Sequence, residues 1–121
     1  MNKIYLIVYG SLMRGFGLSH YLREFKFIKS VEVQGFKMWD NGFFPMIKRG
    51  KGKIKEELYE VDFFDWILKK PILDFIECSY KREVIEVEGK QCFIYVWKGG
   101  TESLSFIPSG DFRDLKGGLS E

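Results

Sequence analysis

Apolar runs alternate along the chain with short polar breaks that carry glycine, and the spacing within each run sets the element expected there. Residues Lys3–Val8 are apolar almost throughout, which predicts a first strand buried on both faces. The run stops at Tyr9-Gly10-Ser11. After a loop over 10–17, a short helix is expected over 18–25, with Ser19 as its N-cap. From 25 to 38, β-branched and aromatic residues alternate with polar ones, predicting one or two strands broken at Gly35. Asp40-Asn41-Gly42 reads as a turn, Pro45 interrupts the next segment, and Gly50 and Gly52 flank a further turn. Residues 54–61 form another strand, and Asp62 is placed to cap a helix.

That helical segment runs to about Cys78 and contains Pro71, which predicts either a kink or two short helices. Residues 82–88 and 91–97 are strands, joined through Gly89-Lys90 by a two-residue loop of the type that wants glycine first. Beyond Gly99 the chain is rich in glycine and serine, and fraying is expected past Phe112. These elements describe one α+β domain over 1–121. Its architecture is a small mixed β-barrel or strongly curved sheet of about six strands with two or three short helices.

A length of 121 residues, 45% of them hydrophobic, suffices for one packed core. Lys and Arg total 19 against 17 acidic residues, so the formal charge is only +2 and no nucleic-acid partner is expected. The one local excess, Lys48-Arg49-Gly50-Lys51-Gly52-Lys53, reads as a solvated hairpin tip. Cys78 and Cys92 belong to no C-x-x-C pair, which argues for reduced thiols, with Cys92 in the core. No signal peptide is readable, and no apolar run approaches the roughly 18 residues that span a membrane. The expectation is a soluble, cytoplasmic protein. Nothing in the chain sets an oligomeric state, and a monomer is the default.

Most familiar chemistries lack their residues. Ser11 stands outside the G-x-S-x-G context of a nucleophile elbow, and a serine or cysteine nucleophile would have to recruit the single histidine, His20. Zinc has too few soft ligands, and neither a Walker loop nor a dinucleotide fingerprint occurs. Carboxylates remain. In the segment 72–77, at roughly 100° per residue, Ile72, Leu73, Phe75 and Ile76 define an apolar face. Asp74 falls opposite its centre, in water. Glu77 lies on its flank, beside Leu73, near a helix C-terminus. Partial desolvation and the negative end of the helix dipole both raise a glutamate's pKa toward the range useful for proton transfer. The glycine turn after the first strand could likewise offer backbone N–H groups to an anion, or simply end the strand.

Taken together, these residues resemble the γ-glutamylcyclotransferase-like family, which includes the γ-glutamylamine cyclotransferases. "VYGSLMRG" is similar to the family's Tyr-Gly-Ser/Thr-Leu signature, and "LYEVD" within the middle section to its Leu-Tyr-x-Val-Asp. "LDFIECSYKREVIEV" is similar to its Leu-Asp-x-(Leu/Ile)-Glu segment with Tyr-x-Arg and a strand after it, and "SGDF" also fits. Glu57 and Cys78-Ser79 depart from the pattern, at positions where glycine is commoner. The resemblance implies a compact mixed barrel with a cavity at one end, and no cofactor. Tyr9, Gly10, Ser11 and Leu12 would bind the substrate's carboxylate and carbonyl through backbone groups. Glu77 would carry the proton as a small γ-glutamyl compound closes to 5-oxoproline. Tyr80, Arg82 and Tyr95 are candidate pocket residues. A non-catalytic small-molecule binding module on the same fold is the alternative, and a hydrolase acting on another amide is a third reading.

Overall fold

The first strand, β1 (Lys3–Val8), takes a central place because its apolar run can be covered on both faces. Leu6, Ile7 and Val8 are buried accordingly. The computed structural model describes residues 3–9, 22–42, 44–76 and 79–112. After β1 come β2 (Lys26–Asp40), β3 (Pro45–Asp62), helix α1 (Phe63–Ile76), β4 (Tyr80–Val87), β5 (Lys90–Trp97) and β6 (Ser105–Ile107). They build one six-stranded mixed sheet in the order β4-β5-β1-β3-β2-β6. β1 runs antiparallel to β3, with Val8 opposite Glu57, and parallel to β5, with Tyr5 opposite Cys92. The remaining pairings are antiparallel.

The sheet curls into a half-barrel. Ion pairs join its far sides: Lys29 Nζ lies 2.9 Å from Glu88 and Arg49 Nη2 3.0 Å from Glu83. Helix α1 covers the face that carries Leu6, Tyr59, Phe93 and Tyr95. Its Trp66 stacks on Phe93 with ring centroids 5.0 Å apart and planes at 10°, and Leu73 is fully buried. The opposite face holds Ile7, Ile54, Leu58, Cys92 and Ile94, all essentially inaccessible. Because β3 lies between β1 and β2 under cover on both sides, the four successive residues Glu56, Glu57, Leu58 and Tyr59 are all buried.

Several local expectations change. Gly35 does not break β2 but marks a register shift, where residue 35 faces residues 50–52 of β3. Pairing resumes on either side, Phe36 with Arg49 and Gln34 with Lys53, so the glycines of β3 sit in a bulge rather than flanking a turn. The basic run is therefore strand, not a hairpin tip. Lys48 donates to the carbonyl of Gly99 at 2.6 Å, Arg49 pairs with Glu83, and Lys53 lies 3.6 Å from Glu32.

Helix α1 passes through Pro71 without dividing in two. Proline deprives the carbonyl four residues earlier, on Ile67, of its donor, and both residues lie on the solvent side, where water can replace it. Asp62 precedes the helix with its carboxylate held by Lys3 Nζ at 2.7 Å. The β4–β5 turn centres on Glu88-Gly89, one residue earlier than expected and with glycine second. The φ values of 51° and 81° match a type I′ turn, whose twist suits a two-residue hairpin. Strand β6 adds to the elements expected from the sequence. Of the helix expected over 18–25, residues 22–25 form a turn and the rest lies outside the described residues, as does the tail over 113–121.

Candidate functional site

Three elements end close together: β1 at Val8, α1 at Ile76 and β5 at Trp97, with β4 starting beside them at Tyr80. Tyr9 comes directly after β1. Its ring is buried and its hydroxyl donates to the backbone carbonyl of Tyr95. Tyr95, itself buried, donates its own hydroxyl to Asp74 Oδ1 at 2.7 Å. Arg82, paired across the strands with Tyr95, donates to the same oxygen. A chain of hydrogen bonds thus runs from the end of β1 through β5 to the last turn of α1.

The aromatic surroundings fix Arg82 further. Its guanidinium lies 5.9 Å from the Trp66 ring centroid and 5.4 Å from that of Phe93, over the stacked pair. Two residues away on the same face of β4, Tyr80 packs edge-on against Trp97 at 5.4 Å and donates to the Pro45 carbonyl at 2.7 Å. Glu57 is fully buried opposite Val8 and accepts from the Tyr59 hydroxyl at 2.9 Å.

The electrostatics define what this cluster can do. Burial opposes the charge on Asp74, but the hydrogen bonds from Arg82 and Tyr95 outweigh it and hold the carboxyl below its usual range. The bond to Asp74 pushes Arg82 up against the cost of its burial. Burial first, then the Asp74 contact, pushes the Tyr95 phenol well above its ordinary value, so it stays a donor. Near neutral pH none of the three exchanges a proton, so the cluster braces the ends of three elements.

The structure therefore brings Tyr9, Arg82 and Tyr95 into one network and sets Tyr80 beside it. Gly10, Ser11, Leu12 and Glu77 lie outside the described residues, as do His20 and Cys78. Cys92 is core as expected, and burial pushes its thiol up. Asp74 departs from its reading as a solvated residue. The six-residue window centred the apolar face on Ile72 and Ile76, whereas the face packed on the sheet is marked by Trp66 and Leu73, seven residues apart. That longer spacing would have placed Asp74 at the helix flank, within reach of β4. An open cleft of about 430 Å³ between β2 and β4, lined by residues such as Glu32, Phe36, Arg49 and Val84, contains none of the expected site residues. Among the described residues no group of three or more His, Cys, Asp and Glu could hold a metal ion.

Comparison with known proteins gives a consistent result. Residues 6–114 match the family model described as gamma-glutamyl cyclotransferase, AIG2-like. The sequence is 31% identical over 118 residues to PH0828 of Pyrococcus horikoshii, a protein provisionally named a gamma-glutamylcyclotransferase, covering 95% of this chain and 96% of that one. The crystal structure of PH0828 superposes with a TM-score of 0.81 at 27% identity, covering 93% and 92% of the two chains. Escherichia coli YtfP, named a gamma-glutamylcyclotransferase family protein, is 25% identical over 109 residues, covering 90% and 96%. A mouse AIG2-like protein shares the fold, with a TM-score of 0.68 at 24% identity over 92% of this chain and 90% of its own.

Proposed function

The chain belongs to the AIG2-like gamma-glutamyl cyclotransferase family, and we propose that it is itself a cyclotransferase, releasing 5-oxoproline from a γ-glutamyl amino acid or amine. In this reading one domain over 1–121 acts in the cytoplasm. Backbone groups of Tyr9, Gly10, Ser11 and Leu12 hold the substrate's α-carboxylate and γ-carbonyl, and Glu77 carries the proton. Glu77 accepts a proton from the α-amino group, whose nitrogen then attacks the γ-carbonyl carbon. A new carbon–nitrogen bond closes the five-membered lactam. The old carbon–nitrogen bond breaks, and the departing amine takes its proton from Glu77. Attacker and target sit in one molecule, so holding them in register supplies much of the acceleration. Donors of the loop facing the carbonyl oxygen stabilise its developing charge.

The observation that carries this reading is the hydrogen-bonded chain Tyr9–Tyr95–Asp74. It ties the residue that opens the proposed binding loop to the helix turn three residues before the proposed acid/base. Arg82 fixes the same carboxylate, so two halves distant in sequence are supported by one brace.

Substitution of Glu77 by Gln removes the proton carrier while keeping size and hydrogen-bonding capacity. Steady-state kinetics on a γ-glutamyl substrate are expected to show kcat reduced by roughly 10²–10⁴-fold with KM little changed. A variant that kept full kcat would remove Glu77 from the mechanism. Tight binding of γ-glutamyl compounds without product, by both proteins, would instead mark a binding module.

A further inference from the structure

Helix α1 is apolar on its outer side as well as on the side that packs Trp66 and Leu73 against the sheet. Its charged residues Asp65, Lys69, Lys70 and Asp74 are all partly buried. Lys69 reaches Glu24 at 3.3 Å with its side chain only 17% exposed, and Asp74 is held by Arg82 and Tyr95. Six further apolar residues face outward: Phe64 is 80% exposed and Leu68 73%, with Phe63, Ile67 and Ile72 each more than two-fifths exposed and Pro71 exposed between them. At roughly 100° per residue, these six positions span about half of the helix circumference. Lys69 is turned to the body, Lys70 and Asp74 pair with each other at 3.7 Å with side chains 37% and 36% exposed, and the apolar arc faces outside.

The size and charge of that arc select its occupant. Its side chains leave on the order of 600 Å² of apolar surface, at the upper end of what monomeric proteins expose and approaching the ~800 Å² that one partner contributes to a standard interface. The six apolar positions carry no charge, Asp74 and Lys70 at the edge of the arc form an ion pair, and the two Asp and two Lys of the helix cancel. It therefore lacks the cationic flank that draws an amphipathic helix onto an anionic lipid surface, and offers nothing to a charged peptide. An uncharged apolar arc is complementary to another of the same kind, which a second copy of the chain supplies across a two-fold axis. We propose that the outer face of α1 is a homodimer interface in which the two helices pack against each other with Leu68 near the axis. Phe63 and Phe64 at one end then meet Pro71 and Ile72 of the other copy, and the reverse.

This face includes none of the residues proposed to act on substrate, and its association is measured without activity. Sedimentation equilibrium of the full chain at micromolar concentration is expected to give a dimer. Leu68→Glu, a change at an outward position that leaves the core intact, is expected to weaken association by at least about 100-fold, because it places two like charges at a desolvated axis. Circular dichroism spectra of the variant should match the parent. Leu68→Lys should behave likewise alone, and an equimolar mixture of the Glu and Lys variants should regain the dimer. A parent chain that stays monomeric to about 100 μM overturns the proposal, as does a dimer that survives both substitutions. Binding of the monomer to vesicles of mixed neutral and anionic phospholipid, lost in Leu68→Glu, would assign the face to a membrane surface and overturn it equally.

Discussion

Asp74 shows how a single residue's surroundings decide its part. One carboxylate oxygen accepts from both Arg82 and Tyr95, and Lys70 Nζ lies 3.7 Å from the other. These donors favour the charged form, so the folded-state pKa lies below that of the unfolded chain. The resulting stabilisation is present above the ordinary carboxylate value near about 4 and disappears as pH falls through the folded value. Asp74→Asn is therefore expected to lower stability at pH 7 by about 1–2 kcal/mol, a figure kept small because the side chain is 36% exposed. The variant should also flatten the loss of stability between pH 5 and roughly 3. Urea titrations across that range measure both effects, and an acid limb identical in parent and variant would remove Asp74 as its source. The family resemblance makes Tyr9, Arg82 and Tyr95 candidates for the site, whereas the spacing over 72–77 puts Asp74 in water. A short apolar window cannot tell which side of a helix the sheet will take.

At the scale of elements, composition and spacing recovered what depends on local pattern. β1 and the β4–β5 hairpin arise directly from apolar runs and a turn signal. The length of β3 could not be read this way, because Gly50 and Gly52 carry a turn signature that pairing with β2 overrides. The three residues of β6 are too few to carry a period. Their segment is nevertheless held firmly. Gly110, at φ 71°, donates to the Ile107 carbonyl at 3.1 Å and accepts from the Lys55 amide at 2.8 Å. A Cβ at Gly110 would come within 2.2 Å of the Lys53 carbonyl oxygen and 2.9 Å of Ile54 Cα. Both obstacles are backbone. Gly110→Ala is expected to destabilise by about 3 kcal/mol, combining strain at positive φ with displacement of β3. Chemical denaturation gives the value; a change below about 0.5 kcal/mol would mean that the segment yields without cost. Glycine in "SGDF" thus has a packing reason, and Phe112 beside it is buried.

For the molecule as a whole, closure of the curled sheet depends more on its core than on the ion pairs across its open side. Lys29 and Glu88 are each half exposed, and Arg49 is more so. Exposed pairs of this kind contribute at most about 1 kcal/mol and are screened by salt. Raising ionic strength from about 0.05 to 0.5 M is therefore expected to change unfolding free energy by less than about 1 kcal/mol, and a larger fall would assign closure to electrostatics. Membership of a family was legible from sequence for a related reason. Its landmarks are backbone-shaping and core residues spread in order along the chain. The proposed chemistry rests on one glutamate and one loop, so it needs its product identified. The direct measurement is mass-spectrometric identification of what the purified protein releases from a panel of γ-glutamyl amino acids and amines. 5-Oxoproline together with the free amine is expected, formed by the parent chain and not by Glu77→Gln. Free glutamate as the product, or no product from any member of the panel, would contradict the proposed chemistry.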